Sequence, residues 1–236
     1  MTGTLINVGG IVAGALIGML LRKGIPQHIN DAIIKVEGLA IVIIGFNGVI
    51  SAMFTLNPAT GRLSNEGGLV LLVCLVLGCL IGEFLRIDDR ICSFGRMVEQ
   101  KSGAEGFAKG FVDASLVFSI GAMAIVGALD DGLRGDSSVL IIKSTLDFTT
   151  AIVLASALGI GVAFSAIPVF LLQGSISLLA GVISPYVSEN LLNLFCMVGY
   201  AIVMVIGFNF LCDIKVKTAN LLPALILPII YYFARC

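Results

Sequence analysis

Long apolar runs, repeated along the whole chain, constrain this sequence more than any other feature. The first occupies residues 4–21 and ends on the basic pair Arg22 and Lys23. A helix needs roughly 20 predominantly apolar residues to cross the hydrocarbon core of a bilayer. This run approaches that length, and no basic segment of the kind that opens a signal peptide precedes it. We therefore expect a first transmembrane helix that is retained.

Reading each apolar run against the residues that break it gives eight expected spans. They are residues 4–21, 36–55, 67–86, 107–129, 139–160, 165–184, 191–212 and 219–235. The fifth and sixth are separated by a weak turn at Phe164–Pro168, but together they are too long for one crossing. The sequence thus predicts an all-α, polytopic transmembrane bundle that forms one domain over residues 1–236.

Composition agrees with a membrane protein and excludes several classes of soluble protein. Hydrophobic residues make up 58% of the chain and charged residues 12%, whereas soluble domains are about 25% charged. The net charge is −1 without a basic patch, so we expect the lipid bilayer as a partner and no nucleic acid. Six cysteines and one histidine show no metal-binding spacing. No metal site and no cofactor are expected.

The distribution of lysine and arginine predicts the orientation. With the N-terminus outside, ten of the 14 basic residues fall on the inner side, three fall outside, and Lys143 lies within a span. This is the bias of the positive-inside rule. Both termini are therefore predicted outside the cytoplasmic membrane. The inner segment 87–105 has apolar residues at helical spacing and is expected to be an amphipathic helix on the cytoplasmic surface.

A short sequence repeat suggests internal symmetry. Residues 44–47 and 206–209 both read Ile-Gly-Phe-Asn, and the same ungapped alignment pairs Leu16 with Leu178 and Val36 with Val198. The predicted topology makes the two copies antiparallel, so spans one to three would form an inverted repeat with spans six to eight. Such repeats are typical of secondary transporters. The alternative is a chance match within the small alphabet of membrane segments.

Small residues on the first span predict a tight helix interface. Gly10, Gly14 and Gly18 form a tandem GxxxG motif, which allows two helix backbones to approach closely. The partner helix is either in the same chain or in a second copy, which would give a homodimer.

Polar side chains within the spans are the candidates for a binding site, because such groups are costly in hydrocarbon unless they are paired or hydrated. The fourth span is either broken around a solute or packed closely by its neighbours. In the fifth, Lys143 and Asp147 share a helix face; they form either a charged lining or a pair that neutralises itself. Amides elsewhere either bridge helices or coordinate a solute. The candidates are Asn47, Asp113, Ser119, Lys143, Ser144, Asp147, Gln173 and Asn209.

Several of these positions belong to motifs that resemble a known prokaryotic membrane family, domain of unknown function 554. The resemblance rests on residues 3–7 and 121–127, and on Asp131-Gly132-Leu133, Gly135-Asp136, Lys143-Ser144, Leu146-Asp147, Gly159, Gly161-Val162 and Gln173-Gly174. It implies a bacterial protein of the cytoplasmic membrane with several helices, and it leaves the substrate open.

The function that the sequence favours is a transporter or channel for a small solute or ion. The alternative is a membrane scaffold or regulatory subunit that transports nothing. The sequence carries no HExxH, GxSxG or Walker motif, so we expect no enzyme and no catalytic residues.

Overall fold

The computed structural model describes residues 1–22, 27–56, 63–65, 67–91, 93, 107–120, 122–212 and 214–235. Within these ranges the regular elements are helices apart from one antiparallel ribbon, in which β1 (Phe54–Leu56) pairs with β2 (Leu63–Asn65). The helical class is therefore confirmed. The α-helices are α1 (Thr2–Arg22), α2 (Gln27–Met53), α3 (Gly68–Leu85), α4 (Phe107–Ser119), α5 (Ala122–Leu133), α6 (Ser138–Leu158), α7 (Gly161–Phe164), α8 (Ala166–Leu178), α9 (Ala180–Ile183), α10 (Glu189–Cys212) and α11 (Leu227–Arg235), and the 3₁₀ helices are η1 (Ser184–Tyr186) and η2 (Thr218–Leu225).

Six segments in the described ranges are long and apolar enough to cross a membrane, rather than the eight that were expected. They are α1, Ile34–Met53 within α2, α3, α6, Gly161–Leu178 and α10. The other two expected spans are interrupted. The fourth bends by 63° between α4 and α5, and the eighth is divided between η2 and α11.

Two predicted boundaries differ from the structure. The break between the fifth and sixth spans lies at Gly159, not at Phe164–Pro168. Gly159 has φ 80°, a left-handed conformation that glycine adopts without a steric cost, and α6 ends immediately before it. Of the predicted amphipathic segment 87–105, residues 87–91 are helical, and most of the remainder lies outside the described residues.

The chain divides into two compact units, each built from separate stretches of sequence. Unit 1 comprises Met1–Glu37 and Ile91–Tyr186, and unit 2 comprises Gly38–Arg90 and Val187–Cys236. Helix α2 begins in unit 1 and continues into unit 2. The two units are described in turn.

In unit 1, α1 and α6 pack side by side along the glycine face of α1. A Cβ atom at Gly10 would lie 2.6 Å from the Ser144 hydroxyl, and one at Gly14 or Gly18 would collide with a carbonyl oxygen of α6, that of Phe148 or Ile152 respectively. The contacts advance along both helices together, so the helices are parallel. The interface predicted from the tandem GxxxG motif therefore lies within one chain.

The bent pair of helices α4 and α5 runs antiparallel to α6. Gly110, early in α4, lies beside Leu158 at the end of α6, whereas Gly127 of α5 lies beside Leu140 near its beginning. The bent α4–α5 pair therefore covers most of the height of α6, about 31 Å for its 21 residues. Helix α8 runs in the same direction as the α4–α5 pair, because Gly132 at the end of α5 contacts Ser177 near the end of α8.

Unit 2 is held together by antiparallel contacts at glycine. Along α2 and α10, a Cβ at Gly38 would lie 2.8 Å from the carbonyl oxygen of Gly207, and one at Gly45 would lie 2.9 Å from that of Tyr200. Along α3 and η2, Gly78 and Gly82 meet Ala224 and Asn220. Helix η2 is thus a packed core element of this unit, although Pro223 prevents a regular α-helix there.

The α1–α6 interface gives a direct test of the fold. Replacing Gly18 with Leu should destabilise the protein by about 1–3 kcal/mol, because the added side chain forces the two backbones apart. Gly9 is the matched control, since it is exposed and has no atom within 4 Å of an added Cβ. Thermal unfolding in detergent should show a lower midpoint for Gly18→Leu and an unchanged one for Gly9→Leu. Equal midpoints would contradict the packing described.

Candidate functional site

Five polar side chains meet in the core of unit 1 and form what we call the polar cluster. Helix α6 contributes three of them, α1 contributes Asn7, and α8 contributes Gln173; all five are buried. The members from α6 are Lys143, Ser144 and Asp147. Parallel packing of α1 on α6 brings Asn7 to this level, since the neighbouring Gly10 lies against Ser144.

The charged part of the cluster is an ion pair between Lys143 and Asp147. The two residues are one helical turn apart, and the ammonium donates a hydrogen bond to Oδ2 of the carboxylate. Their side chains retain only 7% and 10% of their exposure. Asp147 lies about 14 Å along α6, roughly half-way across a 30 Å hydrocarbon core. Both charged groups are therefore enclosed by the helices of the bundle.

The amide part of the cluster is incompletely hydrogen-bonded. Nδ2 of Asn7 donates to Oε1 of Gln173 across 3.2 Å, and the Asn7 side chain also interacts with the carboxylate of Asp147. Both amides are fully buried. Within the described part of the chain, Oδ1 of Asn7 and Nε2 of Gln173 have no hydrogen-bond partner. An acceptor and a donor are thus left open beside the ion pair.

Further polar groups continue from the cluster towards one end of unit 1. One turn from Asn7 lies Thr4, and one turn from Gln173 lies Ser177; both hydroxyls are buried and lack a hydrogen-bond partner in the described ranges. Beyond them is Asp131 at the end of α5, which accepts a hydrogen bond from Ser137 at 2.9 Å and pairs with the α-amino group of Met1 at 2.9 Å. We call Asp131, Thr4, Ser177 and the polar cluster together the polar column.

Unsatisfied polar atoms of this kind need an occupant. A buried hydroxyl or amide without a hydrogen-bond partner destabilises the fold by about 1–3 kcal/mol. The hydrocarbon core of a bilayer contains no water that could supply the missing hydrogen bond. Water or a small solute with several polar partners can occupy such a place. Chemically, the column offers carboxylate, amide and hydroxyl oxygens together with one ammonium group. It can bind a small ion or a polar solute, or hold a file of water.

Comparison with known proteins gives the family. The family model described as "Protein of unknown function (DUF554)" matches residues 2–233. The chain belongs to this family. It is similar to the uncharacterized membrane protein YdfK of Bacillus subtilis (strain 168), at 33% identity over 99% of this chain and 96% of the relative. It is also similar to the uncharacterized protein YqgA of Escherichia coli (strain K12), at 30% identity over 95% and 93%. No solved structure matches.

For this member of the DUF554 family, the structure unites half of the residues that the sequence proposed for a site. Lys143, Ser144, Asp147 and Gln173 lie together. Ser144 is also structural, because its hydroxyl donates to the carbonyl oxygen of Ile6 at 3.1 Å and so joins α6 to α1.

The other four proposed residues lie elsewhere. Asp113 is buried on α4, one turn beyond Gly110, and so near the end of α6 farther from Lys143. Ser119 ends α4 at the bend. Asn47 and Asn209 belong to unit 2. Asn47 is exposed. The Asn209 amide bridges the turn after α10, because its nitrogen donates to the carbonyl oxygen of Val216 at 2.8 Å and its oxygen accepts from the Val216 N–H at 3.0 Å.

Reasoning from sequence missed Thr4, Asn7 and Ser177. A signal was present in the chain, because Thr4 and Asn7 continue the face on which Gly10, Gly14 and Gly18 lie. A polar residue on the packing face of a span cannot point to lipid. Asp131 lies beyond the predicted end of the fourth span at residue 129, but α5 continues to Leu133 and buries Asp131, which is 3% exposed.

Unit 2 has its own polar group, where α3 ends and η2 begins. The Asn220 side chain donates to Glu83 and accepts from the N–H of Asp88, both at 2.8 Å. Nearby, Lys217 and Asp89 form an ion pair at 3.1 Å, and hydrogen bonding to Asp89 holds the pKa of Lys217 above its usual value. The amide of Asn220 is hydrogen-bonded at both its nitrogen and its oxygen, so this group connects the end of α3 to the beginning of η2.

The contact between Asn7 and Gln173 can be measured by a double-mutant cycle. Asn7→Leu and Gln173→Leu should each lower the unfolding midpoint, because each leaves the other amide with one partner fewer. The double variant should lose less than the sum, with a coupling free energy of about 0.5–2 kcal/mol, the range for polar contacts between membrane helices. Asn47→Leu, on the exposed surface of α2, is the control. Strict additivity would mean that the two amides do not interact.

Proposed function

We propose that this protein is a transporter or channel for a small ion or polar solute, and that unit 1 holds its binding site. The observation that carries the proposal is the polar column. It joins a buried ion pair at mid-depth to the end of the bundle where α1 begins, through side chains with open hydrogen-bonding capacity. A solute binding there would have polar contacts from that end of the bundle to mid-depth.

A scaffold acting only through helix packing gives no reason for this arrangement. A buried ion pair is often no more stable than apolar side chains of the same volume, and the open amide and hydroxyl atoms add to the cost. Ionisable residues inside membrane spans commonly mark paths for ions or protons. The open polar atoms therefore favour transport over scaffolding.

The bend between α4 and α5 is a second supporting feature. Discontinuous helices at membrane depth are tolerated where they are buried in protein or line a cavity, and transporters use them at their binding sites. Helices α4 and α5 pack against both α6 and α8, which carry the polar cluster. The bend thus lies in an element that is in contact with the walls of the column.

The predicted inverted repeat belongs to this proposal as well, and α2 and α10 support it. The sequence alignment pairs Gly45 with Gly207 and Gly38 with Tyr200. In the antiparallel pair, Gly45 contacts Tyr200 and Gly207 contacts Gly38. When each residue is replaced by the one aligned with it, the first contact becomes the second. A two-fold axis between the helices has this effect. The two copies of the repeat are then related by an axis that passes through the crossing point of α2 and α10.

We further propose eight crossings with both termini outside. Because α1 and α6 are parallel, an odd number of crossings must separate them. Helices α2 and α3 supply two, and the bent α4–α5 pair supplies the third. The eighth would be η2 with α11, whose eight and nine residues span about 30 Å together. Four basic residues at the end of α3 and the beginning of η2 favour that end as the cytoplasmic one; they are Arg86, Arg90, Lys215 and Lys217.

Cysteine labelling in intact cells tests this topology. In a variant without the native cysteines, Arg134→Cys should react with a membrane-impermeant maleimide added outside. Lys109→Cys and Lys215→Cys should react only after the membrane is permeabilised, because they lie beyond one crossing of the bent pair and of α10 respectively. Labelling of Lys109→Cys and Arg134→Cys from the same side would show that the α4–α5 pair re-enters without crossing.

Transport itself is tested with the mid-depth carboxylate. Purified protein should be stabilised by its ligand in a thermal screen of ions and metabolites, and proteoliposomes should show flux of that ligand. Asp147→Asn should abolish both while the protein still folds, because the neutral amide preserves the shape and removes the charge. Thr145→Val, which alters an exposed hydroxyl on the same helix, should behave like the parent. A protein with no ligand and no flux would instead be a scaffold or regulatory subunit.

A further inference from the structure

We propose that the polar cluster exchanges a monovalent alkali cation for a proton, with the cation replacing Lys143 as the partner of Asp147. The inference rests on the proposed transport function and names the class of substrate. It starts from the ion pair, in which the Lys143 ammonium balances the negative charge of the Asp147 carboxylate. An ammonium group becomes neutral when it releases one proton.

The atoms around Asp147 suit a hard cation. The oxygen of Asn7 is open and fully buried, and Asn7 itself interacts with the Asp147 carboxylate. The hydroxyls of Thr4 and Ser177 are also open, and they lie one helical turn beyond Asn7 and Gln173 respectively, towards Asp131. Carboxylate, amide and hydroxyl oxygens are the ligands preferred by hard cations. By contrast, the only open donor nitrogen is that of Gln173, within the described ranges.

The space also favours a small ion. Helices α1 and α6 touch backbone to backbone at Gly14, and Gly10 meets the Ser144 hydroxyl. Lys143 and Asp147 are the chain neighbours of Ser144 and Phe148, the α6 residues that make this contact. A monatomic cation fits between side chains at such an interface more readily than a polyatomic anion does.

The exchange step conserves charge. Before it, the carboxylate of Asp147 accepts a hydrogen bond from the protonated Lys143. A cation M⁺ then binds the carboxylate oxygens, and the Asn7 amide, which donates to the carboxylate before the exchange, turns its open oxygen towards the cation. The Lys143 ammonium loses its proton to water in the polar column and becomes a neutral amine. One cation has entered and one proton has left, and the net charge of the cluster is zero before and after.

The binding of M⁺ is coupled to the release of a proton because the polar cluster must stay neutral. Binding M⁺ without releasing a proton would add a full charge at mid-depth, which is expensive in hydrocarbon. The other charged groups on helices packed against α6 lie towards its two ends and cannot take over the exchange. They are the α-amino group and Arg22 on α1, Asp130 and Asp131 on α5, and Lys109 and Asp113 on α4; α7 and α8 carry none.

Proton release by the purified protein is the first test. In lightly buffered detergent solution between neutral and mildly alkaline pH, addition of NaCl, KCl or LiCl should release one proton for each cation bound. Choline chloride at the same ionic strength should release none. By linkage, the apparent Kd of the preferred cation should fall about tenfold for each unit of rising pH. Cation binding without proton release would overturn the inference, and so would proton uptake on adding chloride salts, which indicates an anion at Lys143.

Three variants separate the roles of the two charges. Lys143→Arg keeps a positive partner for Asp147 that cannot release a proton, so it should lose both cation binding and proton release. Asp147→Asn should lose both binding and release. Thr145→Val should match the parent in both. Proton release that persists in Lys143→Arg would overturn the assignment of the exchanged proton to Lys143, and the test on the parent protein stands even if this variant does not fold.

Proteoliposomes then distinguish this inference from the proposed function. With a pH-sensitive dye inside, an outward NaCl or KCl gradient should acidify the lumen, and Asp147→Asn should prevent it. Flux of another solute that requires Asp147 but causes no pH change would overturn the cation–proton inference and leave the transport function standing. The absence of any ligand and any flux would overturn both.

Discussion

The close contact between α1 and α6 determines most of what unit 1 can be. Glycines at every fourth position let the two backbones touch, and any larger side chain at Gly14 or Gly18 would collide with a carbonyl oxygen of α6. The contact is parallel, and this is why the proposed topology places an odd number of crossings between the two helices. The same contact sets the register that brings Asn7 to the level of Ser144 and Asp147. Topology and site therefore depend on one interface.

A second consequence concerns the polar side chains that this interface encloses. In water, Lys143 and Asp147 would form an ordinary i,i+4 surface pair worth a few tenths of a kcal/mol. At mid-depth in a bilayer, the same pair loses most of its hydration and depends on its neighbours. Asn7 and Gln173 supply part of what is needed and leave an acceptor and a donor open. A polar cluster that is neutral but incompletely bonded is suited to the reversible binding that we propose.

The two units use glycine in different ways. In unit 1 the glycines lie along one continuous face and hold two parallel helices together. In unit 2 they lie at antiparallel crossings, where Gly38 and Gly207 approach each other's carbonyl oxygens. The polar groups differ accordingly. Asn220 and Asn209 satisfy the main chain and side chains at turns near the ends of helices, whereas the amides of unit 1 lie between helices and are only partly used.

The sequence by itself determined the membrane class, the unbroken spans α1, α3 and α10, and the Lys143–Asp147 pair. Each of these depends on local properties, namely the length of an apolar run or a spacing of four residues on one helix. Only the tertiary structure decided that Asn7 meets Gln173, 166 positions away, and that Asn209 serves a turn. It also decided the bend after Ser119 and the break at Gly159. Helix geometry fixes which residues share a face, but packing between helices decides what that face meets.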